Sequence, residues 1–211
     1  MISYLRNNMG TPGVYGMVPP GLPSFDDSKV AYDYQPEKVK QLLKESGFPN
    51  GQNLPEITLS TTTNYQDLCE FIKSQWEEFG FKIKIDINQA AIHRKMIAEQ
   101  KLGFFRGSWI ADYPDAENYL SLFYSPNFAP GGPNYTHFKN EQFDMLFKKA
   151  TSEINDSVRY EYYRKMDKIL IDEAPVIILF YDKVLRLYDK SISGLGTNAM
   201  NLLILKGVKK N

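Results

Sequence analysis

Between residues 104 and 120 the chain reads "FFRGSWIADYPDAENYL". A short apolar run is followed within ten residues by Arg106, Trp109, Asp112, Tyr113 and Asp115, and Pro114 interrupts regular structure there. A guanidinium offers a planar fork of donors for a carboxylate. An ionised aspartate accepts hydrogen bonds from an ammonium group, and an indole adds apolar surface and one N–H donor. Placed together at a cleft, Arg106, Trp109 and Asp112 suit a zwitterionic or amine-bearing ligand. A purely local arrangement fits as well: Arg106 paired with Asp112 or Asp115, and Trp109 packed as core. Residue types alone leave both open.

Catalytic readings have less behind them. Asp112 and Asp115 are a carboxylate pair of the kind used in glycoside hydrolysis, but proximity on a loop does not set the separation that such chemistry needs. The chain has no Gly-x-Ser-x-Gly elbow and no phosphate-cradling Gly-x-x-x-x-Gly-Lys loop. His93 lies on a predicted helix beside Arg94 and Lys95, where a solvated or partly packed imidazole is expected. His137 sits among aromatics in "YTHFKN". Neither has a partner at metal-ligand spacing, so no metal or other cofactor is called for. The expectation is a binding protein rather than an enzyme.

Composition narrows the partners. The 211 residues are 43% hydrophobic and 24% charged, and 25 Lys and Arg balance 25 Asp and Glu. With no basic field, nucleic acid is not an expected partner, and Lys206, Lys209 and Lys210 read as a solvated tail. The apolar runs at 176–181 and 202–205 are too short to span a bilayer. The opening "MISYLRNNMGTPG" lacks the basic and apolar regions of a signal peptide. The single cysteine, Cys69, falls within a helical apolar pattern and reads as buried filler.

The elements that must position the 104–120 loop alternate. Residues 1–33, rich in Gly and Pro, predict an irregular segment. Pro36 at a first helical position, the stripe Val39, Leu42 and Leu43, and Gly47 beyond the end predict a helix. "EITLSTTT" predicts a strand, and Leu68, Ile72 and Trp76 at four-residue spacing mark one face of a helix over 65–79. "FKIKIDI" alternates as a half-buried strand does. A helix near 89–100 carrying Ile92, Met96 and Ile97, then a strand at 103–110, lead into the loop. Asn140 is suited to cap a helix bearing Phe143, Phe147 and Ala150. A helix over about 156–173 carries Val158, Tyr162, Met166, Ile169 and Leu170 and ends before Pro175. This alternation predicts an α/β fold with crossover connections. The last stretch predicts strands from "PVIILFYDKVLRLYD" and an apolar run "LLILKGV", with no amphipathic helix to cover them. Both ends read as parts of something larger.

"RGSWIADYPDAENYLSLFYSPN" resembles the signature of the extracytoplasmic solute-binding proteins of ABC transporters, in the oligopeptide/dipeptide-binding family. "GMVPPGLPSFDD", "YDYQPEKVKQLLKESGFPNG", "NYTHFKNEQFDMLFKKA" and "RYEYYRKMDKILIDEAPVIILFY" are similar to further blocks of that family, in the same order, over residues 14–190. The resemblance implies the C-terminal lobe of a two-lobed periplasmic-binding-protein fold. This would be a mixed sheet flanked by helices, with a C-terminal β tail belonging to a first lobe that is absent here. Residues 1–33 would be the lead-in of the second lobe, 34–174 the lobe itself, and 175–211 strands returning to the first. Asp112 falls on the aspartate that pairs with a peptide's α-ammonium group and Trp109 on the tryptophan lining that pocket. Arg106 falls on an arginine able to meet a C-terminal carboxylate, and Asn134 on an asparagine expected to position a loop near the cleft. Asp115 and Ala116 stand where many members have an acidic residue and proline, a tolerated variation, and "NFAPGGPNY" departs in its Gly and Pro content.

The function implied is capture of peptides between two lobes and delivery to ABC transporter permease subunits. The expected location is the periplasmic or extracytoplasmic face of a bacterial membrane, reached only through the permease or through a lipid anchor outside this chain. A relative binding a sugar or metal chelate is the nearest alternative, and a carboxylate-pair hydrolase a more remote one.

Overall fold

The structure, a computed structural model, describes residues 1–211 except Lys29 and Ala199. It opens with a one-turn helix α1 (Ile2–Leu5) and a short strand β1 (Thr11–Pro12), so the lead-in carries a little regular structure where none is predicted. Helix α2 (Pro36–Glu45) begins at its proline and ends ahead of Gly47, whose φ of +84° suits a left-handed residue just past a helix. Only Leu43 of its predicted stripe is buried; Leu42 is 49% exposed.

Strand β2 (Glu56–Thr62), helix α3 (Gln66–Glu77), strand β3 (Lys82–Asn88) and helix α4 (Ala90–Ala98) follow. β2 and β3 run parallel, in register from Glu56 opposite Lys82 to Thr62 opposite Asn88, with α3 as the crossover. The strand predicted at 103–110 is reduced to one parallel bridge, Phe105 with Ser60. The Ser60 N–H donates to the Phe104 carbonyl at 3.0 Å and the Arg106 N–H to the Ser60 carbonyl at 2.9 Å. Gly103 and Gly107 flank this bridge, and glycine weakens strand pairing. Leu59, Cys69 and Ile83 form a small buried cluster, with Ile72, Trp76 and Phe104 packed on it.

On α4 the inward face is His93 and Ile97, while Ile92 is 49% exposed. His93, expected to be solvated or partly packed, is buried, because the helix rolls that face toward β2 and the Phe105 bridge. Its Nε2 lies 3.2 Å from the Arg106 carbonyl.

After the loop come α5 (Glu117–Leu120), α6 (Glu141–Ser152) and α7 (Asp156–Glu173). Asn140 Oδ1 accepts the Phe143 N–H at 3.0 Å, and Asn155 Oδ1 caps α7 through Ser157 and Val158. Phe143, Phe147 and Ala150 meet Tyr163, Met166 and Leu170 in the main core, which also takes Val18 and Leu22 from the lead-in and Ala116 and Leu120 from α5. Val158, predicted as a core residue, is 38% exposed.

Among its described residues the last segment holds three two-residue strands. β4 (Phe180–Tyr181) pairs antiparallel with β1, and β5 (Ile192–Ser193) pairs with β6 (Lys209–Lys210). The run 202–205 forms no strand. Its side chains are exposed, as are Val184, Leu185 and Leu187.

Candidate ligand-binding site

β2, β3 and the 104–106 segment point the same way, and the residues of interest leave their C-terminal edge. In open parallel sheets that edge is where ligands sit. Tyr65 follows β2 by three residues, and Arg106 follows the Phe105 bridge directly.

The Arg106 guanidinium lies over the Tyr65 ring, 3.2 Å from its centroid, and one of its nitrogens donates to Ser108 Oγ at 3.3 Å. Burial pulls its pKa down from the ordinary guanidinium value, and Tyr65 opposes that shift. The local ion pair between Arg106 and Asp112 or Asp115 does not form: Arg106 is held by an aromatic face instead.

Trp109 and Asp112 come together through one atom. Asn118, buried at the start of α5, accepts the Trp109 indole N–H at 2.7 Å and the Asp112 backbone N–H at 3.3 Å on its Oδ1. The indole is half-buried against the main core, so Trp109 is partly the core residue of the local reading. Asp112 itself is exposed, and its carboxylate makes no hydrogen bond or ion pair among the described residues.

The next acidic residue has a different job. Asp115 accepts the Glu117 N–H at 2.9 Å and pairs with Arg159 at 3.3 Å. It also bonds Tyr163, whose phenol is pushed up by burial first and by this carboxylate second. Arg159 reaches Asp156 as well, at 3.0 Å. Asp112 and Asp115 thus differ in their surroundings: among the described residues one is free toward solvent and the other ties the loop to α7. Tyr113 donates to Glu117, and its phenol is pushed up to about 12 by burial and by that carboxylate.

Asn134 is fully buried in a separate loop. Its Nδ2 donates to the Tyr124 carbonyl at 3.2 Å and the Phe138 carbonyl at 3.0 Å, and its Oδ1 accepts from Thr136 at 3.1 Å. With those atoms occupied, Asn134 shapes the loop. His137 in that loop stacks on Phe128, ring centroids 4.5 Å apart. Two surface hollows of about 270 and 440 Å³ lie around Lys40 and Asn50, and neither reaches the 104–118 loop.

The residue order alone does not single out Asn118, Arg159 or Tyr65. Asn118 and Arg159 stand inside the family-like blocks, but a polar residue in a helix carries no mark of what it will touch. Tyr65 has one usable signal, its place just beyond the end of a parallel strand.

The profile of the bacterial extracellular solute-binding proteins, family 5 (middle), matches residues 1–131. The chain is 32% identical to heme-binding protein A of Haemophilus influenzae over 76% of its own length and 30% of the relative's. It is 27% identical to the oligopeptide-binding protein OppA of Bacillus subtilis, over 84% of this chain and 34% of that one. The chain thus spans about a third of the length of these curated relatives. Among solved structures, HbpA2 from Haemophilus parasuis superposes with a TM-score of 0.86 at 22% identity, covering 100% of this chain and 42% of that one. The fold is that of the periplasmic binding proteins.

Proposed function

Because this chain belongs to the bacterial extracellular solute-binding proteins of family 5, a family of binding proteins rather than enzymes, we propose that it supplies one wall of a cleft that captures short peptides by their free α-ammonium group. In this reading the peptide passes to the permease of an ABC transporter at the extracytoplasmic face of a membrane. Residues 34–174 are the lobe that carries the wall, and the tail 175–211 returns to a partner lobe.

The observation that carries the reading is the Asp112 carboxylate, exposed and unpaired among the described residues, at a position fixed beside an indole. Opposite charges about 4 Å apart attract by about 1 kcal/mol in water and about 4 kcal/mol at an effective dielectric of 20. Closure of a second wall over Asp112 expels water and strengthens its bond to an ammonium group. With no cation present, closure would leave a buried unpaired charge, which disfavours it. The ligand thereby shifts the open–closed equilibrium through contacts made only in the closed form. Arg106, over the Tyr65 ring with one nitrogen on Ser108, has donors left for a carboxylate.

Calorimetry on the intact protein with alanine peptides and their N-acetylated forms tests this. The free-amine peptides should bind and the acetylated ones should not; equal affinity for both forms overturns the reading. A second reading, an iron-porphyrin ligand, is favoured by the relative named a heme-binding protein. It predicts a shifted Soret band on titration with hemin.

A further inference from the structure

Asn118 belongs to neither the cation-reading nor the carboxylate-reading chemistry. Yet it is the point on which the site's two central residues converge. The residue is 5% exposed. Oδ1 takes two donors, the Trp109 indole N–H at 2.7 Å and the Asp112 backbone N–H at 3.3 Å. Its side chain also hydrogen-bonds the Tyr113 phenol, which donates in turn to Glu117. The amide has a carbonyl for the two N–H groups and an NH₂ for the phenol oxygen; an aliphatic side chain supplies neither, and a carboxylate supplies the acceptor alone.

Asn118 is itself held. Its backbone N–H donates to the Asp115 carbonyl at 3.2 Å, and its carbonyl accepts from Ser121 Oγ at 2.9 Å. The flanking Ala116 and Leu120 are sunk in the main core at 1% and 0% exposure. The anchor for a solvent-facing loop is therefore a residue of the rigid interior. Without it the indole N–H would need another acceptor, and residues 109–113, which hold no helix or strand, would lose the tie that relates ring to carboxylate.

We infer that Asn118 is the positioning residue of this site: its buried carboxamide sets the Trp109 ring and the Asp112 backbone at a fixed mutual geometry before ligand arrives, so that an ammonium group and the adjoining apolar group of a peptide meet a preformed corner. This rests on the peptide reading above and adds to it a device that lowers the ordering cost of binding.

The test compares Asn118→Leu, which removes both acceptor and donor, with Asn118→Asp, which restores the acceptor. Two measurements on the intact protein are made side by side. One is hydrogen exchange of the Trp109 indole N–H by NMR, assigned by its disappearance in Trp109→Phe. The other is calorimetric affinity for alanine peptides of two to five residues. Asn118→Leu should speed indole exchange and weaken binding, each roughly tenfold or more. Asn118→Asp should return both to within about threefold of wild type, the recovery that a merely structural residue would not give. Should the Leu variant fail to fold, the Asp variant's indole protection and affinity still decide the matter. Indole exchange unaltered in the Leu variant overturns the proposal, and so does lost protection with undiminished affinity. If wild type binds none of the peptides while indole protection falls in Leu and returns in Asp, the peptide reading falls and the hold of Asn118 on Trp109 stands.

Discussion

The backbone N–H of Met17 donates to Asp167 Oδ1 at 2.7 Å, joining residues 150 positions apart. Tyr181 Oη, buried, donates to the carbonyl of neighbouring Gly16 at 2.6 Å. The lead-in is thus sewn to the middle of α7 and to β4, and Val18 beside it enters the main core. Burial first, with the like charge of Asp26 adding to it, pushes the Asp167 carboxyl up to about 6, while its bonds from Met17 and Val18 pull the other way.

The sign of the resulting pH dependence follows from linkage. The folded state holds the Asp167 proton more tightly than the unfolded chain, where the pKa is about 3.9. Its contribution to stability is full below about pH 4 and is lost as pH rises through about 6. A carboxyl raised that far in the folded state corresponds to roughly 3 kcal/mol. Asp167→Asn keeps an acceptor for Met17 without the charge. The stability difference between wild type and Asp167→Asn, measured by urea unfolding at pH 4.5 and 7.5, should therefore move in favour of the variant at the higher pH. A difference that stays constant contradicts the assignment.

Gly16 sits at φ +124°, and a Cβ there would collide with the Asp167 carboxylate. Gly16→Ala should cost about 2 kcal/mol or more, from strain and from displacing that carboxylate. Adding Asp167→Ala should recover part of the loss, a coupling that a double-mutant cycle reads directly. Strict additivity would show that the two residues do not meet.

Arg159→Met removes the cation from half-buried Asp115 while keeping much of the side chain's bulk. Losing a charge-assisted bond to a carboxylate of this kind costs about 1–3 kcal/mol. Because Asp115 also accepts the Glu117 N–H at the head of α5, the Trp109 fluorescence maximum should shift with the stability. Arg159→Lys should recover only part, since an ammonium lacks the planar fork.

Asp112→Asn should leave the melting temperature unchanged, because the carboxylate carries no contact among the described residues. Affinity for free-amine peptides should fall on the order of tenfold to a thousandfold, the span set by an effective dielectric between water and a closed cleft. Unchanged affinity would remove Asp112 from the site.

Much of the secondary structure is legible in the residue order because its causes are local. Asn140 caps α6 and Pro36 starts α2, since a side-chain oxygen or a fixed φ acts on residues within one turn. The alternation in β3 holds at Ile83, which is buried, but fades at Ile87, which is 43% exposed near the strand's end. Residues 103–110 look more strand-like in sequence than they are, because a strand is completed by its neighbour and only Ser60 of β2 pairs there. His93 differs from expectation for a similar reason. Periodicity says which residues share a face, but the position of β2 and Phe105 decides which face turns inward.

The loop follows the same division. Its inventory, an arginine, a tryptophan and two aspartates beside a proline, is present in the order of residues, and with it the blocks that mark the family. Which aspartate stays free is not. Asp115 is consumed by Arg159, which lies 44 positions further along, and Asp112 is left to solvent because no cation is folded against it among the described residues. Composition and local spacing determine what each residue is able to do and where helices begin. Pairing across distant segments determines what each one actually does, because a charge or an amide is spent on whatever partner the packed core brings within about 3 Å.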